Sequence, residues 1–314
     1  MMEIPPIPGI ISGILMLAVS SFALTLSVEG IGYRLKMNDS LAGVIISPLF
    51  TSLPELIIVI EAIIIVGSGP GSEIAAGTII GEPFMVSSIG IPAAAVILLS
   101  RKGKIEMLDS SLSKISILLG LIFPVMLIPH FVNSVSARIF TSAVLVAIYF
   151  AFVLLWRGEG ESSATLISNR YLALLTAAGV VLLLAGSTVL VESINRFSGL
   201  YGVSRELMSI LLIPVGTIMP EVMNSLIWAV RSKTNLAIGA LLGEELLFTT
   251  IYPAIGIAAS TWIITREGMV AVFLFSIFSI LIGVALTKAK GSVSPFVLYI
   301  VSFLSFVIYL LIYW

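Results

Sequence analysis

The sequence has no cysteine and only one histidine, His130, among its 314 residues. The lack of cysteine excludes a disulfide scaffold and a thiolate metal centre. A single histidine also argues against a multi-histidine metal site or a Ser-His catalytic triad. Charged residues make up 11% of the chain, against about 25% in a typical soluble domain. Lys and Arg (16) nearly balance Asp and Glu (17), so we expect no nucleic acid as a partner.

In place of charge, the chain carries long apolar blocks, and 59% of its residues are hydrophobic. A helix needs about 20 mostly apolar residues to cross the hydrocarbon core of a membrane. Blocks bounded by charges and turn residues therefore predict an all-α polytopic protein, embedded in lipid, with ten transmembrane helices. The predicted spans are 9–28, 41–66, 74–99, 114–130, 138–156, 171–192, 204–230, 236–263, 269–286 and 294–313.

The basic residues predict how these spans are oriented. With ten spans, Arg138, Arg196, Arg205 and Arg266 fall on one side of the membrane, and the other twelve Lys and Arg fall on the opposite side. Cytoplasmic loops carry the excess of positive charge. We therefore expect both termini to be extracellular, with the protein in the plasma membrane of a prokaryote.

Two segments of the chain resemble each other. Residues 46–55 read ISPLFTSLPE and residues 212–221 read LIPVGTIMPE, with Pro, Thr, Pro and Glu shared at an offset of 166. Downstream, AAGTIIGE at 75–82 matches AIGALLGE at 237–244, at an offset of 162. The two copies begin five spans apart, so the second enters the membrane from the opposite side. Inverted repeats of this kind are typical of transporters.

The repeat predicts the organisation of the chain. We expect a first five-helix repeat at 1–156 with its motif at 41–99, and an inverted second repeat at 171–314 with its motif at 204–263. The connection at 157–170 is predicted to be a cytoplasmic linker that is too short for a folded regulatory domain.

The prolines of the repeat predict interrupted helices. A proline leaves the carbonyl four residues earlier without its helical donor, so Pro54 and Pro220 free the carbonyls of Phe50 and Gly216. A free carbonyl at membrane depth must find a partner or line a polar cavity. A bound cation would be one such partner, and a kink satisfied by a neighbouring helix or a water molecule is the alternative.

Buried acidic residues carry the functional signal. The glutamates within the predicted spans are Glu55, Glu61, Glu82, Glu221, Glu244 and Glu245. A charge at the bilayer centre costs about 2.5–3.5 kcal/mol on insertion scales, and no Lys or Arg falls at that depth. The carboxyl groups must therefore be protonated or be neutralised by a mobile cation. Oxygen ligands of this kind suit Ca²⁺ and related hard cations.

The repeat ranks these glutamates. Glu55, Glu82, Glu221 and Glu244 occupy matched positions and are the predicted metal ligands. Glu245 points about 100° away from Glu244 on a regular helix, which makes it a candidate for a supporting or gating group. Glu61 lies near the outer end of the second span, where we expect a vestibule.

Ten spans, an extracellular N-terminus and paired T-x-x-P-E motifs resemble the cation/calcium exchanger superfamily, which includes the sodium/calcium exchangers. Its first motif is G-T-S-L-P-E, from which FTSLPE departs only at Phe50; the second copy here is GTIMPE, residues 216–221. The resemblance implies that Thr51 and Thr217 line the cation site together with the two motif glutamates. It also implies a ligand at Ser52, which the second repeat replaces with Ile218.

The other family motif, G-N-x-x-G-S-N, is altered. It reads GTIIGEP at 77–83 and GALLGEE at 239–245, so the glycines are kept while the asparagines are lost and the serine has become Glu82 and Glu244. The four predicted glutamate ligands carry up to four negative charges, whereas a single divalent cation brings two positive charges. The surplus requires protons or monovalent cations.

The sequence therefore predicts a secondary antiporter that exchanges Ca²⁺, or a related divalent cation, for Na⁺ or H⁺. The resemblance implies alternating access by sliding of the first and sixth spans, with no cofactor. A cation channel that uses the same carboxylates for selectivity is the alternative. An intramembrane enzyme is disfavoured, because the sequence shows no nucleophile–base pair, no H-E-x-x-H and no phosphate-binding glycine loop.

Overall fold

A computed structural model of the chain describes residues 5–34, 52–67, 69–100, 110–155, 169–231, 234–288 and 295–313. These residues are helical almost throughout and contain no β-strand. The helices are α1 (Pro6–Arg34), α2 (Leu53–Glu61), α3 (Pro70–Met85), α4 (Ile91–Ser100), α5 (Ser110–Ile122), α6 (Ile128–Val132), α7 (Val135–Leu155), α8 (Asn169–Tyr201), α9 (Arg205–Thr217), α10 (Met219–Val230), α11 (Thr234–Thr249), α12 (Ile251–Ala259), α13 (Arg266–Lys288) and α14 (Pro295–Tyr313).

The prediction of an all-α polytopic membrane protein is confirmed. Among the described residues, eight helices are long and apolar enough to cross a membrane, and α9 and α10 together, with a bend of 52° between them, are long and apolar enough for a broken span or a re-entrant loop. The predicted span 41–66 is described only from residue 52 onward. The count of ten spans and the limits of the two repeats therefore stay predictions.

Several spans contain short irregular turns. α2 continues into a π-helical turn at Ala62–Val66, and α3 joins α4 through a second one at Val86–Gly90. α5 joins α6 through a 3₁₀ turn at Phe123–Leu127. Such departures inside long helices accompany functional sites or prolines. The two π-helical turns follow Glu61 of α2 and Glu82 of α3, whereas the 3₁₀ turn contains Pro124.

Helices α1 and α8 form a pair. A Cβ atom added to Gly13 of α1 would lie 2.8 Å from Cβ of Leu190 in α8, and one added to Gly186 of α8 would lie 2.8 Å from Cβ of Met16. Small residues at these positions let the two backbones approach closely. At 1.5 Å per residue, helices of 29 and 33 residues exceed the roughly 30 Å hydrocarbon core.

The pair packs on the rest of the bundle through an apolar cluster. Its buried members include Leu17 of α1, Leu190 of α8, Ile58 of α2 and Ile213 of α9. A separate and larger apolar core joins the remaining helices. The molecule is thus a helical core with a two-helix unit laid across α2 and α9.

Helix α3 lies at the centre of the core. Every residue from Ile74 to Met85 is buried, as expected for a helix surrounded by other helices. Its glycines allow α9 to approach: a Cβ on Gly77 would lie 2.6 Å from the Glu206 carbonyl oxygen, and one on Gly81 would lie 2.7 Å from Cα of Ile210. The two halves of the chain therefore interlock at α3 and α9.

Candidate cation site

The motif glutamates of the two repeats occupy equivalent places. α2 begins at Leu53 with Pro54 and Glu55 in its first turn, and α10 begins at Met219 with the equivalent Pro-Glu pair. Each glutamate carboxylate interacts with its own backbone N–H. The N-terminus of a helix favours negative charge. Both carboxylates thus lie at the start of a short helix.

The second helix break follows from its proline. α9 ends at Thr217, and α10 leaves at 52° from it. Pro220 cannot donate to the carbonyl of Gly216. α1 crosses this point, since a Cβ on Gly216 would lie 3.1 Å from the Ile14 carbonyl oxygen. The equivalent residue of the first repeat, Phe50, lies outside the described residues, as does Thr51.

The carbonyl freed by Pro214 has a different environment. Pro214 lies inside α9 and leaves the Ile210 carbonyl without its usual donor. That oxygen packs against α3, where a Cβ on Gly81 would lie 2.7 Å from it. The carbonyl that Pro214 frees therefore faces the backbone of α3.

Thr217 connects the two repeats. Its hydroxyl lies 3.4 Å from Oε2 of Glu82 and is also a hydrogen-bonding partner of the Glu55 carboxylate. The side chains of Thr217, Glu55 and Glu82 are all buried, with exposures of 1–2%. A threonine of the second repeat therefore contacts both predicted carboxylate ligands of the first.

The other two predicted ligands meet directly. Glu221 at the start of α10 and Glu244 in α11 lie close enough for their carboxyl groups to share a hydrogen bond. Such a bond requires a proton on one of the two groups. Electrostatic interactions link this pair to Glu55, and they link Glu82 to Glu221 and Glu244. The structure thus brings together the four carboxyl groups that the repeat predicts, which we call the acidic cluster.

The acidic cluster lacks compensating positive charge in the described part of the chain. Oε2 of Glu55, Oε1 of Glu82 and Oε2 of Glu221 are buried and have no hydrogen-bond partner among the described residues. An ion pair between Arg205 and Glu73, at 3.6 Å, lies outside the cluster. An ionised carboxylate in such a place is costly unless it is paired or bound to a metal.

The cluster is not a closed metal cage. Among the described residues, no group of three Asp, Glu or His side chains is close enough to hold a metal ion by itself. The carboxyl groups instead associate pairwise, with Thr217 between two of them. Neutral oxygens from side chains, backbone or water would have to complete the coordination shell of a hard cation.

Glu245 is an additional buried carboxyl group next to the acidic cluster. It is 1% exposed, and neither of its oxygens has a hydrogen-bond partner among the described residues. It interacts electrostatically with Glu82 and Glu244. The repeat places it opposite Pro83, so only the second repeat supplies this charge.

Ser52 has a partner that sequence reasoning missed. Tyr252, in α12, places its hydroxyl 2.6 Å from the Ser52 carbonyl oxygen and 2.7 Å from Ser52 Oγ. Both residues are buried. The repeat itself held a signal, because the position matched to Tyr252 at the offset of 162 is Gly90, a break in the internal symmetry.

Two other glutamates lie away from the cluster. Glu61, at the end of α2, accepts a hydrogen bond from Thr188 of α8 at 3.2 Å. Glu206, which the sequence analysis did not single out although it falls within span 204–230, is fully buried and accepts the N–H of Thr265 at 2.7 Å. Glu206 thus anchors the segment before α13.

A helical membrane bundle with a buried acidic cluster drawn from both repeats defines a membrane transport protein. The chain belongs to the sodium/calcium exchanger protein family, whose sequence model matches residues 6–156 and 171–314. This is a family of transporters rather than enzymes, so the chain is a cation/calcium exchanger. A comparison with curated protein sequences gives no match.

Solved structures show the same fold. The H⁺/Ca²⁺ exchanger CAX has a TM-score of 0.70 and 16% identity, with 99% of this chain and 88% of that chain covered. For YfkE the TM-score is 0.67 at 17% identity, with 98% and 92% covered. For the sodium-calcium exchanger NCX_Mj the TM-score is 0.61 at 19% identity, with 98% of each chain covered.

Proposed function

We propose that the protein is a secondary active antiporter that exchanges Ca²⁺, or a related divalent cation, for Na⁺ or H⁺. Transport takes place at the acidic cluster of Glu55, Glu82, Glu221 and Glu244. The observation that carries this proposal is that four buried carboxyl groups from both repeats come together without a basic partner in the described chain. Such groups at membrane depth are typical of ion pathways.

The chemistry of the cluster supports a hard divalent cation. Carboxylates, hydroxyls and carbonyl oxygens are the ligands that Ca²⁺ takes in flexible geometry. Thr217 would add a hydroxyl oxygen, and Ser52 and Thr51 are the neutral ligands proposed for the first repeat. The Gly216 carbonyl, at the break between α9 and α10, would support the site, and the sequence proposes the Phe50 carbonyl for the same role.

The negative charge of the acidic cluster supports the exchange of one cation for another. A divalent cation neutralises two of up to four negative charges, and the others must be neutralised when that cation leaves. The relatives by fold include one named for H⁺/Ca²⁺ exchange and one named for sodium-calcium exchange. Either monovalent cation would satisfy the charge requirement, so the proposal includes both.

The α1 and α8 pair supplies a route to alternating access. These helices pack closely on each other and contact the core through apolar side chains on α2 and α9, the helices that bear Glu55 and Thr217. Apolar contacts are non-directional, so a shift of the pair along the core would break few polar contacts, among them the hydrogen bond from Thr188 to Glu61. We propose that this shift opens the acidic cluster first to one side of the membrane and then to the other.

The orientation is part of the same proposal. Twelve of the sixteen Lys and Arg fall on the side that we assign to the cytoplasm. Both termini are then extracellular, in the plasma membrane of a prokaryote. Labelling of single cysteines introduced near each terminus, in a chain that has no native cysteine, tests this assignment.

Transport by reconstituted protein tests the proposal. Purified protein in liposomes should accumulate radioactive Ca²⁺ against its gradient when Na⁺ or H⁺ runs down an opposing gradient. Uptake should saturate with Ca²⁺ concentration and stop when the counter-ion gradient is dissipated. Downhill flux that ignores both counter-ion gradients would show a channel, and the absence of any divalent flux would contradict the proposal.

A further inference from the structure

Tyr252 joins the two repeats beside the acidic cluster. It lies in α12 of the second repeat, is 3% exposed, and reaches Ser52, which directly precedes α2 of the first repeat. Ser52 stands three residues before Glu55. The phenol therefore contacts the chain at the start of the helix that carries a proposed carboxylate ligand.

The contact restrains both the backbone and the side chain of Ser52. The phenol has one hydrogen to donate, and it lies within hydrogen-bonding distance of two oxygens of the same residue, the carbonyl at 2.6 Å and Oγ at 2.7 Å. Whichever oxygen takes the hydrogen, the other is held beside the phenol. Rotation of the Ser52 side chain would break this arrangement.

The ring of Tyr252 is itself held in place. It stacks on Phe248 with centroids 4.4 Å apart and planes 12° from parallel. Phe248 is fully buried, one turn earlier on the same span. Stacking of two buried aromatic rings restricts the direction in which the phenol hydroxyl points.

The contact has no mirror image in the other half of the molecule. The position matched to Ser52 is Ile218, and the position matched to Tyr252 is Gly90. A Cβ on Gly90 would lie 3.2 Å from Cγ2 of Val222 and 3.7 Å from a Leu241 methyl group. A tyrosine ring has no room there, so the restraint belongs to one half-site only.

We propose that Tyr252 is a positioning residue for the cation site and acts through Ser52. By holding Ser52 at the N-terminus of α2, it fixes the neutral oxygen ligand of the first repeat in front of the helix that carries Glu55. Groups that orient metal ligands typically change metal affinity 10- to 100-fold when they are removed. This inference rests on the proposed function, because it assumes that Ser52 is a cation ligand.

Tyr252→Phe removes the hydroxyl and keeps the stacked ring. Ca²⁺ binding to purified protein, measured by calorimetry, should weaken about tenfold or more, and the KM for Ca²⁺ in liposomes should rise by a similar factor. The maximal transport rate should change less than about threefold. Tyr149→Phe is the matched control, since Tyr149 is also buried and its hydroxyl has no partner among the described residues. Equal Ca²⁺ affinity in the two variants would overturn the proposal.

Ser52→Ala shows whether Tyr252 acts through Ser52. If it does, Tyr252→Phe should weaken Ca²⁺ binding little further when Ser52 is already Ala, so the two fold-changes do not multiply. Fully multiplicative effects would overturn the inference, and so would an unchanged affinity in Ser52→Ala. Wild-type protein that binds and transports no divalent cation would instead refute the proposed function.

A spectroscopic measurement tests the inference even if the Tyr252→Phe variant does not fold. Addition of Ca²⁺ to the wild type should shift a tyrosine C–O stretching band in the infrared difference spectrum, because the hydrogen bond to Ser52 responds to the ion. Ser52→Ala should lose this shift. A shift that persists unchanged in Ser52→Ala would overturn the inference.

Discussion

The first repeat places Ser52 before its motif helix and holds it with a phenol, whereas the second repeat places Ile218 at the equivalent point. Conversely, the second repeat adds the buried carboxyl of Glu245, where the first has Pro83. Both repeats keep a proline-glutamate pair at a helix start and a glycine-glutamate pair in a neighbouring helix. The shared residues supply the four carboxyl groups of the acidic cluster, and the differing residues make the two half-sites chemically unequal.

The largest expected effect comes from the atoms that the repeats share. Glu55→Gln and Glu221→Gln should each lower Ca²⁺-driven exchange in liposomes at least about 100-fold, which corresponds to about 2.7 kcal/mol. The amide keeps the size of the side chain but removes the charge that binds the cation. Glu192→Gln, at an exposed position on α8, is the control and should retain wild-type exchange. Normal activity in either cluster variant would show that its half-site does not bind the ion.

The second largest effect should come from the close packing of α3 against α9, where the two repeats meet. Gly81→Ala should lower the free energy of unfolding by about 1–3 kcal/mol, because the new methyl group would lie 2.7 Å from the Ile210 backbone. Thermal unfolding in detergent measures this change. Gly199→Ala is the control, since a Cβ at Gly199 meets no described atom within 4 Å. Equal stability of the two variants would show that α3 and α9 are not packed as described.

Two buried glutamates of the second repeat should respond oppositely to loss of the carboxyl group. Glu206→Leu should lower the free energy of unfolding by about 1–3 kcal/mol, because the N–H of Thr265 loses its acceptor. Glu245→Leu should leave stability unchanged or raise it, since neither oxygen has a partner among the described residues. Thermal unfolding of both variants in the same detergent measures the two changes in stability. The prediction would be contradicted if Glu245→Leu lowered the free energy of unfolding and Glu206→Leu did not.

The smallest effect should follow from making the repeats more alike. Ile218→Ser restores the hydroxyl that the family motif carries, but Gly90 leaves it without a phenol to orient it. We therefore expect Ca²⁺ affinity to change less than about threefold, since an unrestrained hydroxyl gains little by coordination. Calorimetric titration measures this change. A tenfold gain in affinity would show that orientation by Tyr252 is not what makes Ser52 effective.

The class of protein and the acidic cluster could be predicted because charge is scarce in this chain. Glutamates without basic partners are conspicuous in apolar sequence, and the repeat singled out Glu55, Glu82, Glu221 and Glu244, which the structure brings together. The prolines predicted the break before Glu221, where α9 and α10 meet at 52°. The breakdown of the helical pattern at Pro220 is local, so it can be seen in the sequence.

Helix ends and contacts between repeats were harder to predict. α8 runs over Asn169–Tyr201 although the predicted span was 171–192, because the apolar pattern shows membrane depth and not where a helix stops. Glu206 was overlooked because it has no acidic counterpart in the first repeat. The Tyr252–Ser52 hydrogen bond joins residues 200 positions apart. The repeat shows that Tyr252 breaks the internal symmetry at the position matched to Gly90, but it does not show which residue the phenol contacts.

The location of a bound cation tests the central claim most directly. Crystals of the protein grown with Ca²⁺, or with Sr²⁺ as a heavier substitute, should show ion density between the carboxyl groups of Glu55 and Glu221. Oxygen distances of about 2.3–2.6 Å would identify Ca²⁺. Density at Glu206 or in the vestibule near Glu61, with an acidic cluster that stays free of ions at saturating Ca²⁺, would contradict the account.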